Sequence, residues 1–83
     1  MKDLLEQIAK ALVDNPEDVE VREIEGEETT ILELRVAHAD VGKIIGKNGR
    51  TVQSIRRILN AGGMKLTKRF LLEVVDPKTS ANP

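Results

Sequence analysis

Two apolar stretches near the middle of the chain repeat at helical spacing and are split by two glycines three positions apart. Val41, Ile44 and Ile45 suit a single helical turn, Val52, Ile55, Ile58 and Leu59 suit a longer helix, and Gly46-Lys47-Asn48-Gly49 lies between them. Strand-like patterns flank this pair on both sides. Before it, Leu32, Leu34 and Val36 alternate with Glu33 and Arg35; after it, Phe70, Leu71, Leu72, Val74 and Val75 form a short run interrupted by Glu73 and closed by Asp76-Pro77. A chain that leaves a strand through two helices and returns to the same sheet normally comes back parallel, so this arrangement predicts a parallel pair of strands.

The remaining elements follow from the same periodicities. Leu4, Leu5, Ile8, Ala9 and Leu12 predict an amphipathic helix over about 3–13, ended by Asp14-Asn15-Pro16. Val19 and Val21 alternate with Glu20 and Arg22, and the turn-like Glu25-Gly26-Glu27-Glu28 makes this strand and the next a hairpin. Asp40 stands where it would cap the helical turn at Val41, Gly46 stops that turn, and Gly62-Gly63 supplies an exit from a helix over about 50–61. The expected fold is α+β: helix, strand, strand, helix, helix, strand, with a three-stranded mixed sheet, a middle strand over about 29–37, and three helices on one face. Its 83 residues hold one domain, over 1–77, with 78–83 expected to be a disordered tail. A single Phe and no Trp or Tyr make the core aliphatic.

The formal net charge of -1 conceals a division at Asp40. Residues 1–40 carry four bases against twelve acids, net -8, and residues 41–83 carry nine bases against two acids, net +7. Between Val41 and Arg69 there are eight bases and no acid. A split this complete predicts a face that steers a polyanion into one orientation. Other classes find little support. Cysteine is absent, His38 is the only histidine, and Ser54 has no base at readable spacing, so neither enzyme nor metal site is expected. Asp14, Glu17, Asp18 and Glu20 lack the register of a calcium loop. No cofactor or small-molecule substrate is implied. Charges at Asp3, Glu6 and Lys10 interrupt the N-terminus, which lacks the unbroken apolar stretch of a signal peptide, and no run is long enough to span a membrane; the expectation is a cytoplasmic protein.

Gly46-Lys47-Asn48-Gly49, taken alone, reads first as a plain turn between helices. Asn48-Gly49 is also a type I′ hairpin signal, but a hairpin needs alternating flanks and both flanks here have helical spacing. The surroundings favour an anion site. Glycines let a phosphodiester approach the main chain, the first N–H groups of the next helix face the same spot, and Lys47 and Arg50 stand alongside. Neither the phosphate-loop pattern nor the dinucleotide-loop pattern of glycines is present.

The stretch from Val41 to Ile55, centred on Ile-Ile-Gly-Lys-Asn-Gly-Arg, resembles the signature of the KH RNA-binding domain, whose GXXG loop clamps the backbone of about four nucleotides. The order of elements is similar to the type II form of that fold. Because the domain fills the chain from about residue 2 to 76, the resemblance is to small bacterial stand-alone KH proteins of the KhpA type. It implies single-stranded RNA as partner, with Gly46, Lys47, Asn48 and Gly49 as the loop and Lys43, Arg50 and Arg56 as basic neighbours. It gives Ile44, Ile45, Val52 and Ile55 the motif's aliphatic places, as core or as groove floor, and makes the edge of the middle strand around Leu34 to Ala37 the opposite wall. Arg57, Lys65, Lys68 and Arg69 add charge without an assigned aim.

The resemblance further implies an RNA chaperone or post-transcriptional regulator acting as a homodimer or with a larger KH-containing protein. The other reading it leaves open is a protein-interaction subunit, of a complex for cell-envelope growth and cell shape or for ribosome assembly, with RNA binding subsidiary. The near absence of aromatics argues against the stacking platforms of other RNA-binding folds and leaves a KH groove untouched.

Overall fold

The computed structural model describes residues 1–65 and 69–77. Lys68, the Lys65 side chain and the tail expected to be disordered, 78–83, lie outside the described residues. Six main elements follow in the predicted order: α1 (Lys2–Leu12), β1 (Glu20–Glu25), β2 (Thr29–Arg35), α2 (Val41–Ile45), α3 (Arg50–Lys65) and β3 (Arg69–Val75). β1 pairs antiparallel with β2 through the hairpin, and β2 pairs parallel with β3 across the two-helix crossover, in strand order β1-β2-β3.

The sheet has one covered face. Along β2, Thr30, Leu32 and Leu34 are buried and alternate with less buried neighbours; Phe70 and Leu72 of β3 and Val21 of β1 join the same side. Leu5 and Ala9 of α1, Ile44 of α2, and Val52, Ile55 and Leu59 of α3 close over that face. Each fully buried Leu or Ile contributes about 1.5–3 kcal/mol of hydrophobic stabilisation, and among the described residues the buried core is eleven aliphatic side chains with Phe70.

Two helix boundaries differ from expectation. α1 stops at Leu12, with a short 3-10 turn over Pro16–Asp18 before β1. α3 runs through Gly62 and Gly63 to Lys65 instead of ending at them. Glycine lowers helix propensity by about 1 kcal/mol without forbidding the helix, and at Gly62 α3 lies beside the end of the flexible Met1 side chain.

Candidate nucleic-acid interface

The loop between α2 and α3 is a tight, hydrogen-bonded turn. Gly46 ends α2 with φ 77° and ψ 174°, a backbone region essentially reserved to glycine. Its N–H donates to the Gly42 carbonyl at 2.8 Å, and its own carbonyl accepts from the Gly49 N–H at 3.1 Å. Asn48 and Gly49 both have positive φ, 56° and 73°, and the Arg50 N–H closes back on the Lys47 carbonyl. Two consecutive left-handed residues closed in this way form a turn of the I′ kind, so the Asn-Gly pair does act as turn chemistry, but between helices. Thr51, which sequence reasoning passed over, fills the space beneath: a Cβ on Gly46 would overlap its hydroxyl and lie 2.9 Å from its backbone nitrogen.

The turn presents Lys47 and Asn48 to solvent, and Arg50 and Arg56 are exposed on α3. Lys43 is exposed too, but its ammonium is 3.1 Å from Asp14 Oδ2 and 3.9 Å from Asp40 Oδ1. It is therefore partly neutralised by the acidic half. Lys47, Arg50, Arg56 and Arg57 make no ion pair among the described residues. The four motif aliphatics divide: Ile44, Val52 and Ile55 are core, at 0%, 5% and 3% exposure, and Ile45 alone is half-buried. That division was invisible in the sequence because all four share the helical pattern.

Asp40 does not cap α2. A 3-10 turn over His38–Asp40 precedes the helix and gives Asp40 a helical backbone, so its carboxylate turns away from the free N–H groups. Fully buried, it accepts from the Asn15 N–H at 3.0 Å, the Asn15 side-chain amide at 3.0 Å and the Asp14 N–H at 3.3 Å. Burial pushes its carboxyl up, but the Asn15 side-chain amide, the two backbone donors and Lys43 together outweigh that and hold it below the usual carboxylate value. Asp40 thereby ties the segment after α1 to the helix that carries the turn. His38, the other polar residue here, has Nδ1 2.8 Å from Asp76 Oδ1 and joins the ends of β2 and β3.

The expected wall around Leu34 to Ala37 is corrected by the pairing at its first two residues; Val36 and Ala37 lie past the end of β2. Leu34 and Arg35 are matched on one side by Val21 and Glu20 and on the other by Val74 and Val75, so their edges are already used. The free edges of the sheet belong to β1 and β3, and α3 packs on β3. Gly62 places one flank of α3 towards α1; Ile58, one turn earlier, shares that flank, and Arg56 and Asn60 lie on the other. The acids are set apart: Glu20, Glu23, Glu25, Glu27 and Glu28 are all exposed on β1 and its hairpin turn, at the opposite edge of the sheet from β3. No group of three or more His, Cys, Asp or Glu able to hold a metal ion occurs among the described residues. Among them also, no helix is long and apolar enough to cross a membrane.

The model of the KhpA/KhpB KH domain matches residues 2–74. The RNA-binding protein KhpA of Clostridium perfringens is 51% identical over 75 residues, covering 90% of this chain and 100% of its own. The protein of the same name from Aquifex aeolicus is 51% identical over 76 residues, 92% of this chain and 96% of its own, and that from Borreliella burgdorferi is 50% identical over 74 residues, 89% and 90%. No solved structure matches significantly.

Proposed function

The chain belongs to the KhpA/KhpB family of KH domains, and on that premise we propose that it binds single-stranded RNA through the Gly46–Gly49 turn, as an RNA chaperone or post-transcriptional regulator in the cytoplasm and not as an enzyme. The observation that carries this reading is the turn itself. It holds Lys47 and Asn48 in solvent at the start of a helix whose Arg50, Arg56 and Arg57 make no ion pair among the described residues, where the helix dipole and the first N–H groups favour an anion. The relatives named above are RNA-binding proteins by name. Arg56 lies on the flank of α3 away from α1, and Ile45 is the motif aliphatic with surface left to offer a base.

Four nucleotides held without aromatic stacking give few contacts to offset the ordering of RNA, so the working unit is a pair of sites. Ile58, 47% exposed on α3, supports pairing with a second copy or with a larger KH-containing protein.

The test is the affinity of the wild type and of a Lys47→Asp, Asn48→Asp variant for short labelled single-stranded RNAs across salt concentration. Aspartate tolerates the left-handed backbone of position 48, and both side chains are exposed, so the fold is spared. The expected result is at least a tenfold loss of affinity with an unchanged circular dichroism spectrum. The wild-type slope counts phosphates at about 0.7 in log K per phosphate. Equal binding by both proteins would remove the turn from the RNA site.

A further inference from the structure

A shallow, open surface on the outer side of α3 is lined by Asn48, Arg50, Gln53, Ser54 and Arg57. Four of these stand at i, i+3, i+4 and i+7 and form one stripe, half a turn from Val52, Ile55 and Leu59, which face the core. Asn48 brings the turn onto the same surface. All five side chains are exposed; the Ser54 hydroxyl donates to the Arg50 carbonyl at 3.0 Å, and Asn48, Arg50, Gln53 and Arg57 are able to donate outward. A merely solvated helix face mixes both signs of charge, but this stripe contains two guanidiniums and no carboxylate, and neither Arg50 nor Arg57 makes an ion pair among the described residues. The flanking acids in sequence are Asp40, buried against Asn15, and Glu73 on β3.

From this placement we infer that the outer ridge of α3 is a second contact for the same RNA strand, holding the phosphates of nucleotides that flank those at the turn. The inference rests on the reading of the turn as the RNA site and extends it. Arg50 and Arg57 are about 10 Å apart along the helix at 1.5 Å per residue. At about 3.4 Å per nucleotide for a stacked strand, that distance spans about three nucleotide steps. Arg50 stands beside the turn and belongs to both contacts; Arg57 serves only the extension. The site therefore accommodates about seven nucleotides, by adding about three to the roughly four that a GXXG turn clamps.

The experiment compares oligonucleotides of four and eight residues of one composition with the wild type, Arg57→Gln, and Arg69→Gln as a control that removes the same charge from β3. The wild type is expected to bind the eight-mer at least fivefold more tightly than the four-mer, with a steeper salt slope. Arg57→Gln is expected to lose most of that ratio and about 0.7 of the slope on the eight-mer, and Arg69→Gln to keep the ratio. Equal ratios in all three proteins, or equal loss in the two variants, would overturn the inference and leave only a general field effect. The Lys47→Asp, Asn48→Asp variant separates the two readings. If it still binds the four-mer, the turn is not the RNA site; if it does not, and the ratio ignores Arg57, the turn stands and the ridge falls.

Discussion

Gly46 and Gly49 bracket the turn, yet they are held to glycine for different reasons. Gly49 has φ 73° with nothing within 4 Å of a would-be Cβ, so an alanine there meets backbone strain alone, about 1 kcal/mol. Gly46 sits in a region nearly closed to other residues and its Cβ would collide with Thr51, including a backbone atom that cannot swing aside. Gly46→Ala is therefore expected to cost about 2–4 kcal/mol of unfolding free energy in a denaturant titration, against about 1 for Gly49→Ala. Equal losses would show that Thr51 yields without resistance. The glycines were legible from sequence as the markers of an unusual turn. Their inequality was not, because it depends on Thr51 folding back under Gly46. The same holds for Ile44, Val52 and Ile55, whose core role is decided by the sheet they meet.

Asp40 shows why the assignment of an element can be right and its fastening wrong. An acid directly before a helical turn is the pattern of an N-cap, but the 3-10 turn ahead of α2 rotates it onto Asp14 and Asn15, some 25 residues earlier in the chain. No local pattern reports such a partner. Its carboxyl is ionised more readily in the folded than in the unfolded chain, so its contribution is present above the ordinary carboxylate range and is lost as pH falls through the lowered folded value. Glu6, lowered by the hydrogen bond from Lys10, has the same sign. Asp40→Asn is expected to lower the melting temperature near neutral pH by roughly 5–10 °C and to shrink the further loss between about pH 6 and about pH 3. A variant that loses as much as the wild type on acidification would show that another group sets the acid limb. The path of α3 beyond Gly62-Gly63 was hidden too, because glycine weakens a helix without forbidding it and the sequence pattern marks such a pair as an exit. At Leu34 and Arg35 the sheet edge failed on topology, since a strand with neighbours on both sides has no edge to offer there.

At the scale of the molecule, the order of elements and the division of charge were both legible, because periodicity and sign survive any detail of packing. The strand order then gives the charge division a direction: the acidic hairpin lies at one edge of the sheet and α3, packed on β3, at the other. The longest dimension is 35 Å, several times the Debye length of about 8 Å at physiological ionic strength, so the acids orient an approaching strand only at close range or low salt. Affinity has to come from contacts, and a single site supplies few. The proposed pairing through the α3 flank that carries Ile58 would answer this without new chemistry, since a second site on the same RNA binds at high effective concentration. The free chain is expected to sediment as a dimer at tens of micromolar, and Ile58→Asp as a monomer, because a charge buried in an apolar interface is strongly disfavoured. The variant is expected to keep its affinity for a four-nucleotide RNA and to lose about tenfold or more for one of about 20 nucleotides, which only a dimer can engage twice. A wild type that sediments as a strict monomer would leave the larger KH-containing protein as the source of the second site. A dimer that survives Ile58→Asp would move the interface off this flank, to the exposed face of the sheet where Ile24 and Leu71 stand 46% and 48% exposed.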